Sequence, residues 1–198
     1  KKAFLDAIAG GKGFVGMHCA TDTFHSKKGE IDPYIKMIGG EFLSHGAQQA
    51  CEIEVIAPEF PGAKAFGRSF TLNDEWYSQK NMGDDLHVIM AHVTKGMKGW
   101  QYERPNFPMT WARMHDKGRV FHTVLGHDVN ALACVGFMVT LQRGTEWAAT
   151  GKVTPKVPGN FPTANSVSYR TDVAAMDPGY IRGLNPLDAR PPTPGGKK

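Results

Sequence analysis

Cysteine is scarce in this sequence: Cys19, Cys51 and Cys134 are the only three in 198 residues. An odd number with no CxxC or CxxxC spacing argues against a disulfide framework and a structural zinc knuckle; a reducing, cytoplasmic compartment is compatible with this, and export is the alternative, since a missing N-terminus would hide its signal. Long apolar runs are missing as well. None approaches the roughly 18–20 residues of a membrane span, so no membrane partner is expected. The opening KKAFLDAIAG reads as an amphipathic helix and not as a signal peptide. The body of the chain also lacks a charge excess. Residues 1–150 hold 16 basic and 16 acidic side chains, and the net +4 comes wholly from the 7 and 3 in residues 151–198. A nucleic-acid binder concentrates positive charge on its folded body, so no nucleic-acid partner is expected. A phosphate-cradling loop is absent too. Gly10-Gly11-Lys12-Gly13 precedes a strand instead of a helix, and no nucleotide cofactor is expected.

What is present suffices for one good core: 41% of the residues are hydrophobic. Phe14 to His18 is a short apolar run that predicts a buried strand, and Pro33 to Ile38 predicts a helix closed by Gly39-Gly40. Cys51 to Ile56 alternates polar and apolar, as a half-exposed strand at the sheet margin would. Leu86 to Ala91 reads as a central strand. Pro108 to Met114 and Arg119 to Leu125 read as two more strands, joined by the turn His115 to Gly118. Asn130 to Ala149 is the longest predicted helix, capped by Asp128 or Asn130 and apolar around most of its circumference. Strands alternating with helices predict an α/β domain over residues 1–150 with a mainly parallel sheet. The strand that should precede the opening helix is not there, so the domain reads as N-terminally truncated. Residues 151–198 hold 8 of the 13 prolines and read as an extended wrap and tail.

All eight histidines lie in residues 1–150. His18 ends the first predicted strand, and His127 follows the strand Arg119 to Leu125. Ligand crevices of open α/β sheets lie beyond the carboxyl ends of strands, so these two are expected to face one site. The alternative for each is a hydrogen-bonded structural residue. His122 and His87 sit within strands and read as satisfied core histidines, whereas His25, His92 and His115 read as solvated. Asn73-Asp74-Glu75-Trp76-Tyr77 sets two acids beside two large aromatics. That suits either a sugar site with acid–base chemistry or an acidic loop with Trp76 plugging the core. Asp22 can orient His18 or cap the following helix. Cys19 lacks the small flanking residues of a nucleophile elbow, since Met17 and Thr21 occupy those places. His18, His45, Glu75 and His127 form a donor set sufficient for a divalent metal, without an HExxH-type spacing behind it.

Several ordered stretches resemble the trehalose-utilisation (ThuA-like) family. They are Gly13 to Asp22, Ile38 to Phe42 with His45, Asp74 to Tyr77, Thr110 to Arg113, Gly118 to Phe121 through Leu125-Gly126-His127, and Glu146 to Ala148. The resemblance runs from about Lys1 to Val157. It implies a flavodoxin-like three-layer fold similar to class I glutamine amidotransferases, with its opening strands missing here. It also implies a role in carbohydrate metabolism, where relatives are associated with disaccharides oxidised at C3. The family does not keep the amidotransferase cysteine triad, so Cys19 counts as a small-residue variant beside His18. Carried over onto matching positions, His18, Asp22, Glu75 and His127 mark the catalytic pocket.

The leading expectation is cleavage of a 3-keto-glycoside, a small-molecule carbohydrate. Glu75 or His127 would be the base, His18 the acid or enolate stabiliser, and Asp22 its orienting partner. His45, Asp74, Tyr77 and Trp111 would meet the sugar. The rival expectation is a non-catalytic carbohydrate-binding or scaffold module. It is suggested by the Pro-rich tail, which would suit fusion to other domains; a homo-oligomer is a further option. A glutaminase acting through Cys19 follows from fold analogy alone.

Overall fold

The structure, a computed structural model, describes residues 1–170. Helix α1 (Lys2–Ala9) leads into strand β1 (Phe14–Met17), a 3-10 turn (His18–Asp22) and helix α2 (Pro33–Ile38). Asp32 caps α2 by accepting the Tyr34 N–H at 2.8 Å, Pro33 occupies the first turn, and Gly39 closes it at φ 94°. Seven strands follow: β2 (Glu41–His45), β3 (Gln49–Val55), β4 (Ser69–Asp74), β5 (Tyr77–Lys80), β6 (His87–His92), β7 (Phe107–His115) and β8 (Gly118–Thr123). Helices α3 (Val129–Ala133) and α4 (Val135–Thr150) complete the body. Among the described residues, no helix is long and apolar enough to cross a membrane.

Six strands form one mixed sheet in the order β1-β8-β7-β6-β3-β4, and β2 pairs with β5 in a small antiparallel sheet. The expectation of a mainly parallel sheet is corrected here. Only β1 and β8 pair in parallel, whereas β8–β7, β7–β6, β6–β3 and β3–β4 are all antiparallel. The reason lies in the connections. Parallel neighbours need a crossover of a dozen or more residues, usually helical. Between β2 and β8 the described chain has no α-helix at all. The hairpin β7–β8 turns through Asp116 and Lys117, with Asp116 at φ 51°, a conformation aspartate tolerates.

Helices cover both faces of the sheet at its β1–β8 end. Alternation along β8 decides which side chain meets which layer. Val120 faces Ile8 of α1 and Tyr34, Ile35 and Ile38 of α2, forming one apolar cluster. Phe121 points the other way, against Gly144 of α4, where an added Cβ would lie 2.2 Å from the ring. The larger core, with Trp76, Phe70, Ile53 and Phe137 fully or almost fully buried, lies on the α4 side and inside the curl of the sheet.

Three further expectations change. Strand β3 keeps the alternating burial read from its sequence, yet it has neighbours on both sides, and β4 is the margin. The long C-terminal helix is broken at Cys134, whose ψ of 128° is extended. There the Val135 N–H donates to Ser168 and the Arg170 N–H to Ala133, so residues 168–170 pair with the chain where the helix would have run on. The two ends of β6 exchange roles. His87 is exposed and faces Glu59 at 3.7 Å, whereas His92 is fully buried between Trp76 and Phe107. His122 is buried as expected, but neither ring nitrogen has a partner of good hydrogen-bond geometry. Burial pushes both His92 and His122 down to about 3, so they are neutral.

Residues 151–170 run over the body. The Thr71 N–H donates to Thr163, Phe161 stacks on Phe66 with centroids 4.6 Å apart, and Pro162 lies against Gly136. The remainder of the proline-rich tail, residues 171–198, lies outside the described residues.

A flat six-stranded sheet would hold its edge strands about 24 Å apart, at about 4.8 Å per gap. Here the C-terminal end of β4 meets that of β8 and the end of β1. The Asp74 carboxylate accepts the Gly126 N–H at 2.8 Å. The sheet therefore curls until its two margins approach each other. Register irregularities in the β6–β7 pairing, at Val88–Met90 and Met90–Ala91, add local twist midway across it.

Candidate functional site

The point where the two margins meet gathers His18, His45, Glu75 and His127. His18 follows β1 directly, and its φ of 42° places it in the left-handed region, which costs a β-carbon residue about 1–2 kcal/mol. That turn folds the ring inward, where the residue is 6% exposed. Its Nδ1 lies 2.9 Å from the Val124 carbonyl. A carbonyl only accepts, so Nδ1 carries the proton and Nε2 presents a lone pair. Burial lowers the pKa of His18, which keeps the ring neutral. Tyr77, itself buried, packs over the same ring at 4.2 Å. Burial and the nearby Glu75 carboxylate raise the pKa of the Tyr77 phenol.

Glu75 sits where the chain leaves β4 and crosses to β5, and it is 9% exposed. Its carboxylate is shared among three imidazoles. Oε2 lies 3.1 Å from His127 Nδ1 and 3.5 Å from His18 Nε2, and Oε1 lies 3.0 Å from His45 Nδ1. His127 Nδ1 is also 3.1 Å from His18 Nε2. Because that His18 atom is an acceptor, His127 Nδ1 donates to His18, and Glu75 Oε2 lies beside the same nitrogen. The side chains of His45 and His127 are 41% and 36% exposed, so both sit on the open rim. Neither Nε2 makes a hydrogen bond among the described residues.

Asp74 holds this arrangement from beneath. Its Oδ1 accepts the N–H groups of Glu75 at 2.8 Å and His127 at 3.1 Å, while Oδ2 accepts that of Gly126. Gly126 has φ 110°, where a side chain would be strained and would run into Met17 and Phe137. Burial raises Asp74 to about 7, against the opposing pull of the three N–H groups.

Three expected site residues have other surroundings. Asp74 is 1% exposed and spends its oxygens on backbone, so it positions the site without meeting a sugar. Asp22 lies 3.3 Å from His25 Nε2, and the orienting partner of His18 is the Val124 carbonyl. Trp111 is fully buried, donates to the Ile38 carbonyl at 2.8 Å and packs on His122, away from the cluster. Cys19 is exposed next to His18. A residue missed in the sequence is Tyr102, in a 3-10 turn. Its hydroxyl accepts from the Gly46 N–H and donates to the Trp76 carbonyl, both at 2.8 Å, which ties the segment after His45 to the segment after Glu75. No spacing signal pointed to it. A cavity of about 580 Å³ lies elsewhere, lined by Ile35, Gly39, Met82 and Arg113. It includes no member of the histidine–carboxylate cluster, and its Arg113 is already paired with Asp85 at 2.9 Å.

Chemically, the cluster offers two rim imidazoles braced by one buried carboxylate. It also offers three inward ligand atoms, from His18, Glu75 and His127, within 4.8 Å of one another.

Residues 1–148 match the family described as ThuA, trehalose utilisation. The chain belongs to that family. A ThuA-like protein from Parabacteroides merdae ATCC 43184 superposes with a TM-score of 0.76 at 26% identity, over 86% of this chain and 72% of that one. A ThuA-like protein from Bacteroides uniformis ATCC 8492 gives 0.56 at 22% identity, over 77% of this chain and 65% of that one. No curated protein matches. The histidine–carboxylate cluster falls wholly within the ThuA domain, as do all the elements that position it.

Proposed function

We propose that this ThuA domain cleaves 3-keto-glycosides by β-elimination. The observation that carries the reading is the Glu75 carboxylate, engaged on its two oxygens by two rim histidines. The family's link to trehalose utilisation supports a sugar as the substrate. A ketone at C3 acidifies the C2 proton. In this reading His45, whose Nδ1 is hydrogen-bonded to the Gly46 carbonyl at 2.9 Å and lies 3.0 Å from Glu75 Oε1, takes that proton on Nε2. The C2–H electron pair forms the enolate, with negative charge on the C3 oxygen. Collapse of the enolate breaks the C1–O bond, and His127 protonates the departing glycosidic oxygen from Nε2. Water then adds at C1 while the proton returns to C2, giving a 3-keto-sugar and the free leaving group. Glu75 is the positioning residue, its two oxygens lying 3.0 and 3.1 Å from the Nδ1 atoms of His45 and His127.

Each proton-transfer partner is worth about 10²–10⁴ in rate. The test is release of glucose from 3-keto-trehalose. His45→Ala and His127→Ala should each lower kcat by about that factor, and Glu75→Gln should lower it while altering the pH profile. Full turnover in both histidine variants would overturn the assignment. Binding of the keto-sugar without any release by wild-type protein would move the reading to a carbohydrate-binding module.

A further inference from the structure

We infer that His18 Nε2, Glu75 Oε2 and His127 Nδ1 form a three-ligand site for a first-row divalent cation of borderline hardness, such as Zn²⁺. The three atoms stand 3.1, 3.1 and 3.5 Å apart, each distance joining the same three atoms. That triangle has a circumscribed radius of about 1.9 Å. An ion at the usual Zn–N and Zn–O distance of about 2.1 Å therefore touches all three while standing about 1 Å off their plane. Ligand atoms around tetrahedral zinc lie about 3.3 Å from one another, which the spacing of these three donors already matches.

The surroundings are those of a built site. A metal-binding imidazole must present a lone pair, and its other nitrogen donates to a fixed acceptor. His18 meets both conditions, with Nδ1 2.9 Å from the Val124 carbonyl and the Tyr77 ring against its face. Glu75 and His127 come from chain segments far apart in sequence, yet both backbone N–H groups end on the single Asp74 Oδ1. The ligand-bearing segments are thus locked in register before any ion arrives. Binding requires only that His127 Nδ1 release its proton. Two imidazoles and one carboxylate match Zn²⁺ or its transition-metal neighbours. Mg²⁺ and Ca²⁺ call for oxygen donors.

The role of such an ion, though not its binding, rests on the reaction proposed above. Three protein ligands leave open coordination positions on the solvent side, where the C3 oxygen of a keto-sugar would bind as its charge develops. Coordination through Nδ1 also forces His127 into the tautomer protonated at Nε2, the form that donates to a leaving oxygen. His45 is outside the triangle and stays paired with Glu75 Oε1 at 3.0 Å, available as the base.

The test uses the full chain, stripped with chelator and titrated calorimetrically with Zn²⁺, with Co²⁺ as a spectroscopic probe and Mg²⁺ as the negative control. One equivalent of Zn²⁺ should bind and raise the melting temperature, and Co²⁺ should give a visible ligand-field band. Glu75→Gln and His127→Ala should each weaken binding about 100-fold or more. His127 is on the rim, so its variant should fold even if one at the buried His18 does not. His25→Ala and His87→Ala remove exposed histidines near other carboxylates and should leave affinity unchanged. Absence of one-site binding by wild-type protein, or binding that survives both ligand variants, overturns the inference. Zn²⁺ binding without keto-sugar turnover sinks the proposed reaction and leaves the ion site standing. Turnover by chelated protein that binds no ion does the reverse.

Discussion

Asp74 gives the sharpest test of how the site is assembled. Its carboxylate is completely buried, collects three backbone N–H groups, and is raised by burial from 3.8 to about 7. A native-state pKa above the unfolded value means that the folded protein holds the extra proton between those two pH values. The stabilisation is therefore complete below pH 4 and is lost as pH rises through about 7. A shift of about three pH units corresponds to about 4 kcal/mol, with no discount for solvent screening because the group is fully buried. Asp74→Asn removes the titration and sets an amide N–H₂ against one of the N–H donors, which costs about 1–3 kcal/mol at every pH. Urea unfolding of both proteins between pH 4.5 and 8 reads the difference directly, since the other titrating groups are common to both. The wild-type advantage should shrink by several kcal/mol across that range. Parallel stability curves would refute the reasoning and show that the three N–H groups, and not burial, set the charge of Asp74.

The neutral buried histidines pull the other way. With His92 and His122 lowered to about 3, each contributes stability that is full above pH 6.5 and is lost on acidification toward 3. His92→Phe should accordingly flatten the acid limb of a melting-temperature profile. Tyr102→Phe leaves the Gly46 N–H and the Trp76 carbonyl without their shared partner, and should cost about 1–3 kcal/mol in urea unfolding. Its effect on keto-sugar turnover should fall on kcat, through a displaced His45, more than on KM. Gly144→Ala places a methyl 2.2 Å from the Phe121 ring and should cost about 1–3 kcal/mol, seen as a lower urea midpoint with an unchanged m value. Arg143 donates to the carbonyls of Pro61, Gly62, Lys64 and Pro155 with only 5% exposure, so Arg143→Met should expose the 57–66 segment to limited proteolysis.

Much of the site was legible because its histidines end strands. The places of His18 and His127 after two apolar runs predict that they face one crevice, and the structure sets His127 Nδ1 3.1 Å from His18 Nε2. Glu75 was visible from its setting between Asp74 and Trp76. Trp111 was misleading, since an aromatic residue in a strand has the same local pattern whether it faces a ligand or the core. Asp22 failed for a related reason, because proximity in sequence to His18 does not outweigh a carbonyl from residue 124 that arrives through the fold. Strand positions came out well, but their directions did not. Apolar runs mark where strands are, whereas only the lengths and contents of the connections tell parallel from antiparallel. His87 and His92 were exchanged because alternation along one strand gives two faces without saying which is inward.

The curl of the sheet has a kinetic consequence. Glu75 leaves β4 at one margin of the sheet, whereas His18 and His127, 109 positions apart in the chain, follow the paired strands β1 and β8 at the other. The carboxylate reaches the two histidines only when the sheet has curled margin to margin. Contacts that close a roll at its seam are made late on the way to the native state, so a ligand seated there should act on unfolding much more than on folding. An ion or sugar spanning the seam would work as a clasp. It would lengthen the lifetime of the folded protein while leaving the rate at which new chains fold nearly untouched.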